Sequence, residues 1–307
     1  MADACKRQRV SDDPLAQVTN EDALQVLRGL GRFDFDVLSL EELLRGRQLC
    51  VTAGESFRQR GLLEELHAEG CFDQSVKSKL GKYLGQIEDR YVSTVAYHNA
   101  THAADTLATA WWLLQATYFS ELSNLDRFIV VVACAIHDVA HPGRNNVFQS
   151  KVMSETAIRY NDRAILENMH SATAFEIMLQ DESLNWFSTL SKDFKASNGK
   201  TENLQQYTRK GLVDLVLGTD MAKHKEHEEF VKSLSPGKAL DGTKLMPILE
   251  CVVHAADVSN ACKPAVLMKQ WTQRLLLEFW EQGDEEMSRG LEISHLCDRE
   301  AGLRSIA

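Results

Sequence analysis

His98 and His102 stand four residues apart, a spacing that puts two imidazoles on one face of a helix. Asp105 follows three residues on, along the same stripe. His137-Asp138-Val139-Ala140-His141-Pro142-Gly143 comes directly after an apolar run, and His254-Ala255-Ala256-Asp257 follows another, Met246 to Val253. A charged Asp beside a His at the end of an apolar element is costly unless it is paired or metal-bound. Singly, each pattern is common on surfaces and in satisfied cores. Three His/Asp clusters, each abutting an apolar or amphipathic element, point to metal binding. Imidazole with carboxylate suits zinc, manganese or iron, while magnesium favours carboxylate and water. No cysteine stands at these places, which argues against a closed structural zinc site. The chemistry such a site supports is hydrolysis. One metal lowers the pKa of bound water, and two metals about 3.5–4 Å apart clamp an in-line displacement at phosphorus. A histidine outside the ligand set could protonate the leaving oxygen.

The elements that must position these groups read as helices. Strict two-residue alternation is rare, and the chain has only 5 prolines. Ala104, Leu107, Ala108, Trp111, Leu114 and Tyr118 recur at helical spacing between Asn99 and Tyr118. Phe128 to Ile136 is continuously apolar and valine-rich, so propensity also allows a buried strand; Ser123-Asn-Leu-Asp126, a capping-box form with Asp for Glu, favours a buried helix. A helix starting at Pro264 should run to Gln282, with Leu267, Trp271, Leu275 and Phe279 on one face and Gly283 as its stop. Several short helices are expected between Glu21 and Tyr91, and loops at 191–202 and 233–244. Residues 1–20 are expected to be a disordered tail and 21–307 one domain, with no repeat and no linker.

The 307 residues are 44% hydrophobic and 25% charged, an ordinary globular composition. A formal charge of -10 makes binding to nucleic acid or anionic lipid through overall charge unfavourable. It leaves a small anionic substrate open, because bound metal reverses the local field. No run of about 18 apolar residues occurs, and Lys6, Arg7 and Arg9 precede no apolar stretch, so neither a membrane span nor a secretory signal is expected. That short basic patch reads as a frayed tail or a nuclear address. The 7 cysteines are scattered without a CxxC pair, the usage of reduced packing thiols in the cytosol, and a cytoplasmic location is expected.

Tyr97-His98-Asn99-x-x-His102-Ala103-x-Asp105 resembles the opening signature of the class I cyclic nucleotide phosphodiesterase catalytic domain. His137-Asp138-x-x-His141-Pro142-Gly143-x-x-Asn146 resembles its second motif. Glu155-x-Ala157, Tyr160-Asn161-Asp162 and Leu166-Glu167-Asn168 are similar to the segment that follows, and Thr219-Asp220-Met221 and His254-x-Ala256-Asp257-x-Ser259-Asn260-x-x-Lys263-Pro264 to later blocks. Gln282-Gly283-Asp284 and Asp298-Arg299 keep the register, so the resemblance runs from about Phe33 to the last residue. It implies an all-α, multi-helix domain of the HD type, in which Phe128–Ile136 is helical. It implies hydrolysis of the 3′ ester of cyclic AMP or cyclic GMP to the 5′-monophosphate. His102, His137, Asp138 and Asp257 would hold Zn2+, and Asp138 would bridge to Mg2+ or Mn2+. A hydroxide between the metals would attack phosphorus, with His98 as general acid oriented by Glu278. By the same resemblance His141, Asn146, Glu167 and Thr219 surround the second metal's waters, while Tyr97, Met221 and Asn260 lie at the nucleotide pocket. Some roles have plainer readings: Asp105 as a cap or pair within its helix, Glu278 as a solvated helix residue, Trp271 as core.

Three departures qualify the resemblance. Ala140 stands where the family usually has an acidic residue, and His295 where a proline commonly follows the serine. A family glutamine that grips the purine lies about ten residues past the aspartate of the Asp-Arg pair, one position beyond Ala307. The glutamine, a stacking phenylalanine and the last helices are therefore expected to be missing, with weakened base binding and an exposed apolar face. Besides an enzyme, two alternatives follow: a catalytically impaired family member acting as a binding or dimerising partner, and a different metal-dependent phosphohydrolase on a similar scaffold. The expected partners are a cyclic nucleotide and further copies of the chain in a homo-oligomer, with neither nucleic acid nor membrane.

Overall fold

A computed structural model describes residues 18–44, 46–191, 193–195, 201–234 and 242–300. The tail expected at 1–20 lies almost wholly outside these residues, as do much of both expected loops and residues 301–307. Fourteen α-helices are present among the described residues. The first five are α1 (Glu21–Leu27), α2 (Val37–Leu44), α3 (Gln48–Gln59), α4 (Leu62–Ala68) and α5 (Val76–Arg90). There follow α6 (Ala100–Leu113), α7 (Asn124–Ile136), α8 (Asn146–Lys151), α9 (Glu155–Tyr160) and α10 (Ile165–Gln180). The last four are α11 (Leu204–Leu217), α12 (His224–Ser233), α13 (Leu245–Asp257) and α14 (Ala265–Ser288). The fold is all-α, as the sequence indicates. One two-stranded antiparallel hairpin, β1 (Asp193–Lys195) with β2 (Thr201–Asn203), stands where a loop was expected. Phe194 packs edge-on against Tyr207 of α11 at 5.0 Å, which gives so short a hairpin an anchor.

Helix α6 is the axis of the molecule and packs against α3, α7 and α13. Every residue from Thr101 to Trp111 is buried. Ala103, Ala104, Ala108 and Ala110 keep its girth small, so three helices can approach it closely. The valine-rich segment is the C-terminal part of α7, buried from Leu125 to Ile136. Ser123 caps it, its Oγ accepting from Asp126 N at 3.1 Å. A helix is favoured because burial on all sides leaves no edge for strand pairing, and the helix satisfies its own backbone.

Helix α14 corrects one expectation. It passes through Gly283 and ends at Ser288. Gly283 is not a stop but a point of close approach: a Cβ there would lie 2.0 Å from the carbonyl oxygen of Cys297. The Ser294–Cys297 segment is held against this helix by buried Glu286, one turn further along α14, which accepts from Ser294 N and Oγ, each at 2.6 Å. His295 is exposed on that segment. Large apolar side chains are also exposed on nearby elements, among them Ile158, Val266 and Met287.

Gly283→Ala is expected to lift the Ser294–Cys297 segment from α14 and cost about 1–3 kcal/mol. A urea titration reads this as a lower midpoint; an unchanged midpoint would show that the segment yields freely.

Candidate active site

His98 does not ride on α6, contrary to the shared face its spacing to His102 suggests. Asn99 is the N-cap, in extended conformation, with Oδ1 accepting from Thr101 N at 2.9 Å and His102 N at 3.4 Å. Its Nδ2 donates back to the carbonyls of Val95 and Ala96 at 3.0 and 3.2 Å. The chain therefore turns at Asn99, and His98 comes off the preceding segment. Its ring stands nearly perpendicular to that of His102, with centroids 5.6 Å apart.

His102 leaves the first turn of α6, His137 and Asp138 lie at the C-terminal end of α7, and Asp257 closes α13. These three helices bring one donor atom from each of the four residues within 4.8 Å of one another. His102 Nε2 lies 2.8 Å from Asp257 Oδ1 and 3.4 Å from His137 Nε2. His137 Nε2 lies 3.2 Å from Asp138 Oδ2 and 3.3 Å from Asp257 Oδ1. His137 Nδ1 donates to the Cys134 carbonyl at 2.9 Å, so in the neutral ring Nε2 carries the lone pair. With that lone pair bare, nitrogen and carboxylate oxygens face one another in a buried space and repel unless positive charge enters, as a cation or as a proton on the imidazole. Burial would lower His137, yet Asp138 and Asp257 pull it well above its ordinary value. Burial would raise Asp257, but His137 and His102 hold it below the carboxylate range. The donor set fits a divalent cation of the zinc class.

The two oxygens of Asp138 look in different directions. Oδ2 faces His137 and His102, at 3.2 and 3.5 Å. Oδ1 faces His170 Nε2 at 3.5 Å. His170 was not picked out from sequence. Its Nδ1 donates to the Val139 carbonyl at 2.7 Å, and its buried Nε2 has no hydrogen-bond partner. The sequence signal was there in Glu167 and His170, three apart on α10 and so on one face. His141 stacks between His98 and His170, with centroids at 4.1 and 5.7 Å. Its Nδ1 accepts from Gly143 N at 3.0 Å, which leaves Nε2 as a donor when the ring is neutral. Burial and the neighbouring His98 push His141 well down, so the neutral form is favoured.

Glu278, from the middle of α14, is buried rather than solvated and gathers three donors. Oε2 accepts from Tyr97 N at 2.8 Å and His98 N at 3.0 Å, and Oε1 meets His98 Nδ1 at 2.5 Å. Burial alone would lower the His98 pKa, but Glu278 and then Asp138 raise it to about 9. Burial would raise Glu278, but His98 brings it down to about 2. The two shifts agree in describing one ion pair.

The remaining residues surround this centre at different depths. Asn146 Nδ2 donates to both oxygens of Glu167, at 3.1 and 3.0 Å. Burial raises Glu167 to about 7. Thr219 donates its hydroxyl to the Val216 carbonyl at 2.8 Å. Tyr97 lies 4.6 Å from the His102 ring and accepts from Asn260 Nδ2. Met221 is exposed on a 3-10 turn, Met221–Lys223. Trp271 is core, edge-on to Tyr97 at 5.7 Å. Asp105 pairs not within its helix but with buried Lys263, at 3.1 Å. His254 turns away from the cluster of Asp257 and meets His224 instead. Ala140 holds φ of 64° between Asp138 and His141, a conformation that Asp and Asn tolerate better than Ala.

A family model described as 3′5′-cyclic nucleotide phosphodiesterase matches residues 97–307. Among curated proteins, a 3′,5′-cyclic-AMP phosphodiesterase 4C of Rattus norvegicus is 35% identical over 289 residues, covering 91% of this chain and 51% of the relative. The Mus musculus protein of the same name is 35% identical over 289 residues, covering 91% of this chain and 40% of its own length. A probable 3′,5′-cyclic-AMP phosphodiesterase, pde-4, of Caenorhabditis elegans is 36% identical over 276 residues, covering 86% and 38%. The chain thus spans about half or less of the length of these relatives. Among the described residues no helix is long and apolar enough to cross a membrane.

Two outcomes are expected here. Chelation of divalent cations should lower the melting temperature of the wild type, a cation at about 1,000 times its Kd being worth about 4 kcal/mol. Asp138→Asn should melt no lower than cation-free wild type and should not respond to added cation; a wild type indifferent to chelation would rule the site out. Ala140→Gly should raise stability by about 1 kcal/mol by relieving the positive φ, and a fall would mean that Ala140 is not strained.

Proposed function

Because the chain belongs to the 3′,5′-cyclic nucleotide phosphodiesterase family, we propose that it hydrolyses the 3′ ester of cyclic AMP or cyclic GMP to the 5′-monophosphate, with His98 as general acid. The observation that carries this reading is the ion pair of His98 with buried Glu278, 2.5 Å long, beside a cluster of lone-pair donors. The relatives' names favour cyclic AMP.

In this reading His102, His137, Asp138 and Asp257 would hold Zn2+, and Asp138 would also serve Mg2+ or Mn2+. Two such cations, when bound, supply an activated water and neutralise the phosphate. His141 Nε2 is a donor toward that region, and Glu167, oriented by Asn146, is a carboxyl poised near neutrality. Thr219 is assigned to the same surroundings.

His98 moves the proton. Glu278 engages Nδ1, so Nε2 is the tip available to substrate, and the imidazole side chain is 24% exposed. When hydroxide attacks phosphorus, a P–OH bond forms as the P–O3′ bond breaks, the electron pair of that bond leaves with O3′, and the His98 Nε2 proton goes to that oxygen. A pKa of about 9 keeps His98 charged, and hence loaded, at neutral pH. Tyr97, Asn260 and Met221 are assigned to the nucleotide side. Asn260 is held by its bond to Tyr97, while Met221 is exposed on its turn.

His98→Ala should lower kcat by about 10²–10⁴-fold with little change in KM, measured on cyclic AMP and cyclic GMP with Mg2+ or Mn2+ present. Glu278→Gln removes the charge that raises His98, so the acid is lost at lower pH and the alkaline limb of the kcat profile should move down. A limb that stays in place would exclude His98 as the acid. The ion pair also contributes to folding. His98's contribution is complete below its unfolded pKa and fades as pH rises toward about 9; that of Glu278 is complete above its unfolded value and fades as pH falls toward about 2.

A further inference from the structure

His254 and His224 form a second nitrogen cluster, separate from the catalytic one. We propose that these two imidazoles are a binding site for a nitrogen-seeking divalent transition cation of the Ni2+/Cu2+ class.

His254 lies on the last turn of α13 and is buried; His224 opens α12 and is exposed. Their facing atoms, His224 Nδ1 and His254 Nε2, are 2.9 Å apart. In the absence of a cation, one ring must donate its proton and the other its lone pair. Two nitrogens at this distance also match neighbouring ligands of a cation at ~2.0–2.1 Å, subtending roughly 90°. That angle belongs to tetragonal nitrogen sites rather than tetrahedral ones.

The surroundings suit ligation. Burial, with smaller contributions from His227 and His224, lowers the His254 pKa, so its ring is favoured in the neutral form that ligates, and its buried Nδ1 has no hydrogen-bond partner. The third ring, His227, has its centroid 4.9 Å from that of His254. Its Nε2 donates to the Gly218 carbonyl at 2.9 Å and its Nδ1 faces Cys251 Sγ at 3.6 Å. It therefore walls the inner side without competing for the cation. His224 leaves the outer side open to solvent, which supplies both the entry path and the water ligands. The chelate would tie α12 to α13 across the Gly218–Lys223 segment, which carries Thr219 and Met221.

The test is calorimetric titration of Ni2+ into the protein carrying its resident metals, in excess Mg2+. The wild type should show one Ni2+ event that His224→Ala weakens roughly ten-fold or more, while Lys225→Ala, exposed on the same helix, retains it. Identical isotherms for wild type and His224→Ala would mean that the pair is only an N–H···N hydrogen bond. Loss of the event in Lys225→Ala as well would place the ion elsewhere, and either result overturns the proposal.

Discussion

A buried concentration of lone pairs governs this molecule. His102, His137, Asp138 and Asp257 are held together by α6, α7 and α13, the most deeply packed helices of the domain. Water would screen their mutual repulsion, but it has little access here. The apolar packing of three helices forces the approach, and only positive charge makes it comfortable. Function here is thus a strain that the core imposes: Leu107, Val132 and Val253 belong to the same contiguous core that drives the polar ends together.

The groups around that centre, His170, Glu278 and His141, are buried as well. Asp138 faces two ways. The histidines beyond it are kept neutral or charged by what touches them. His141 is pressed toward neutrality by burial and His98, while His98 is kept charged by Glu278. Two stacked imidazoles thus hold opposite protonation preferences, set by what each touches. The Lys263–Asp105 pair fixes the turn carrying Asn260 to the helix carrying His102.

Much of this was legible in the residues. Three His/Asp clusters beside apolar or amphipathic elements pointed to metal binding, while the choice of His102, His137, Asp138 and Asp257 as one set came from the family resemblance. The buried helix α7 was legible through its Ser123 cap. What escaped were contacts between segments distant in sequence. His170 reads as an ordinary helical histidine until the Val139 carbonyl and Asp138 are seen to bracket it. Gly283 reads as a terminator because glycine commonly is one; only the Cys297 carbonyl lying against it reveals a packing glycine. The shared face of His98 and His102 failed because spacing implies a helix only where both residues lie inside it. Asp105 and His254 sit at suggestive positions, yet their partners, Lys263 and His224, come from other elements.

The turn at Asn99 has a mechanical meaning. Four residues of sequence separate His98 from His102 of the buried cluster, but the cap stands between them as a bearing. His102 belongs to the rigid axis of the domain; His98 belongs to the segment before it, tethered to α14 through Glu278. Tyr97 N, His98 N and His98 Nδ1 all bind Glu278, so the placement of α14 sets where the His98 ring stands relative to the buried cluster.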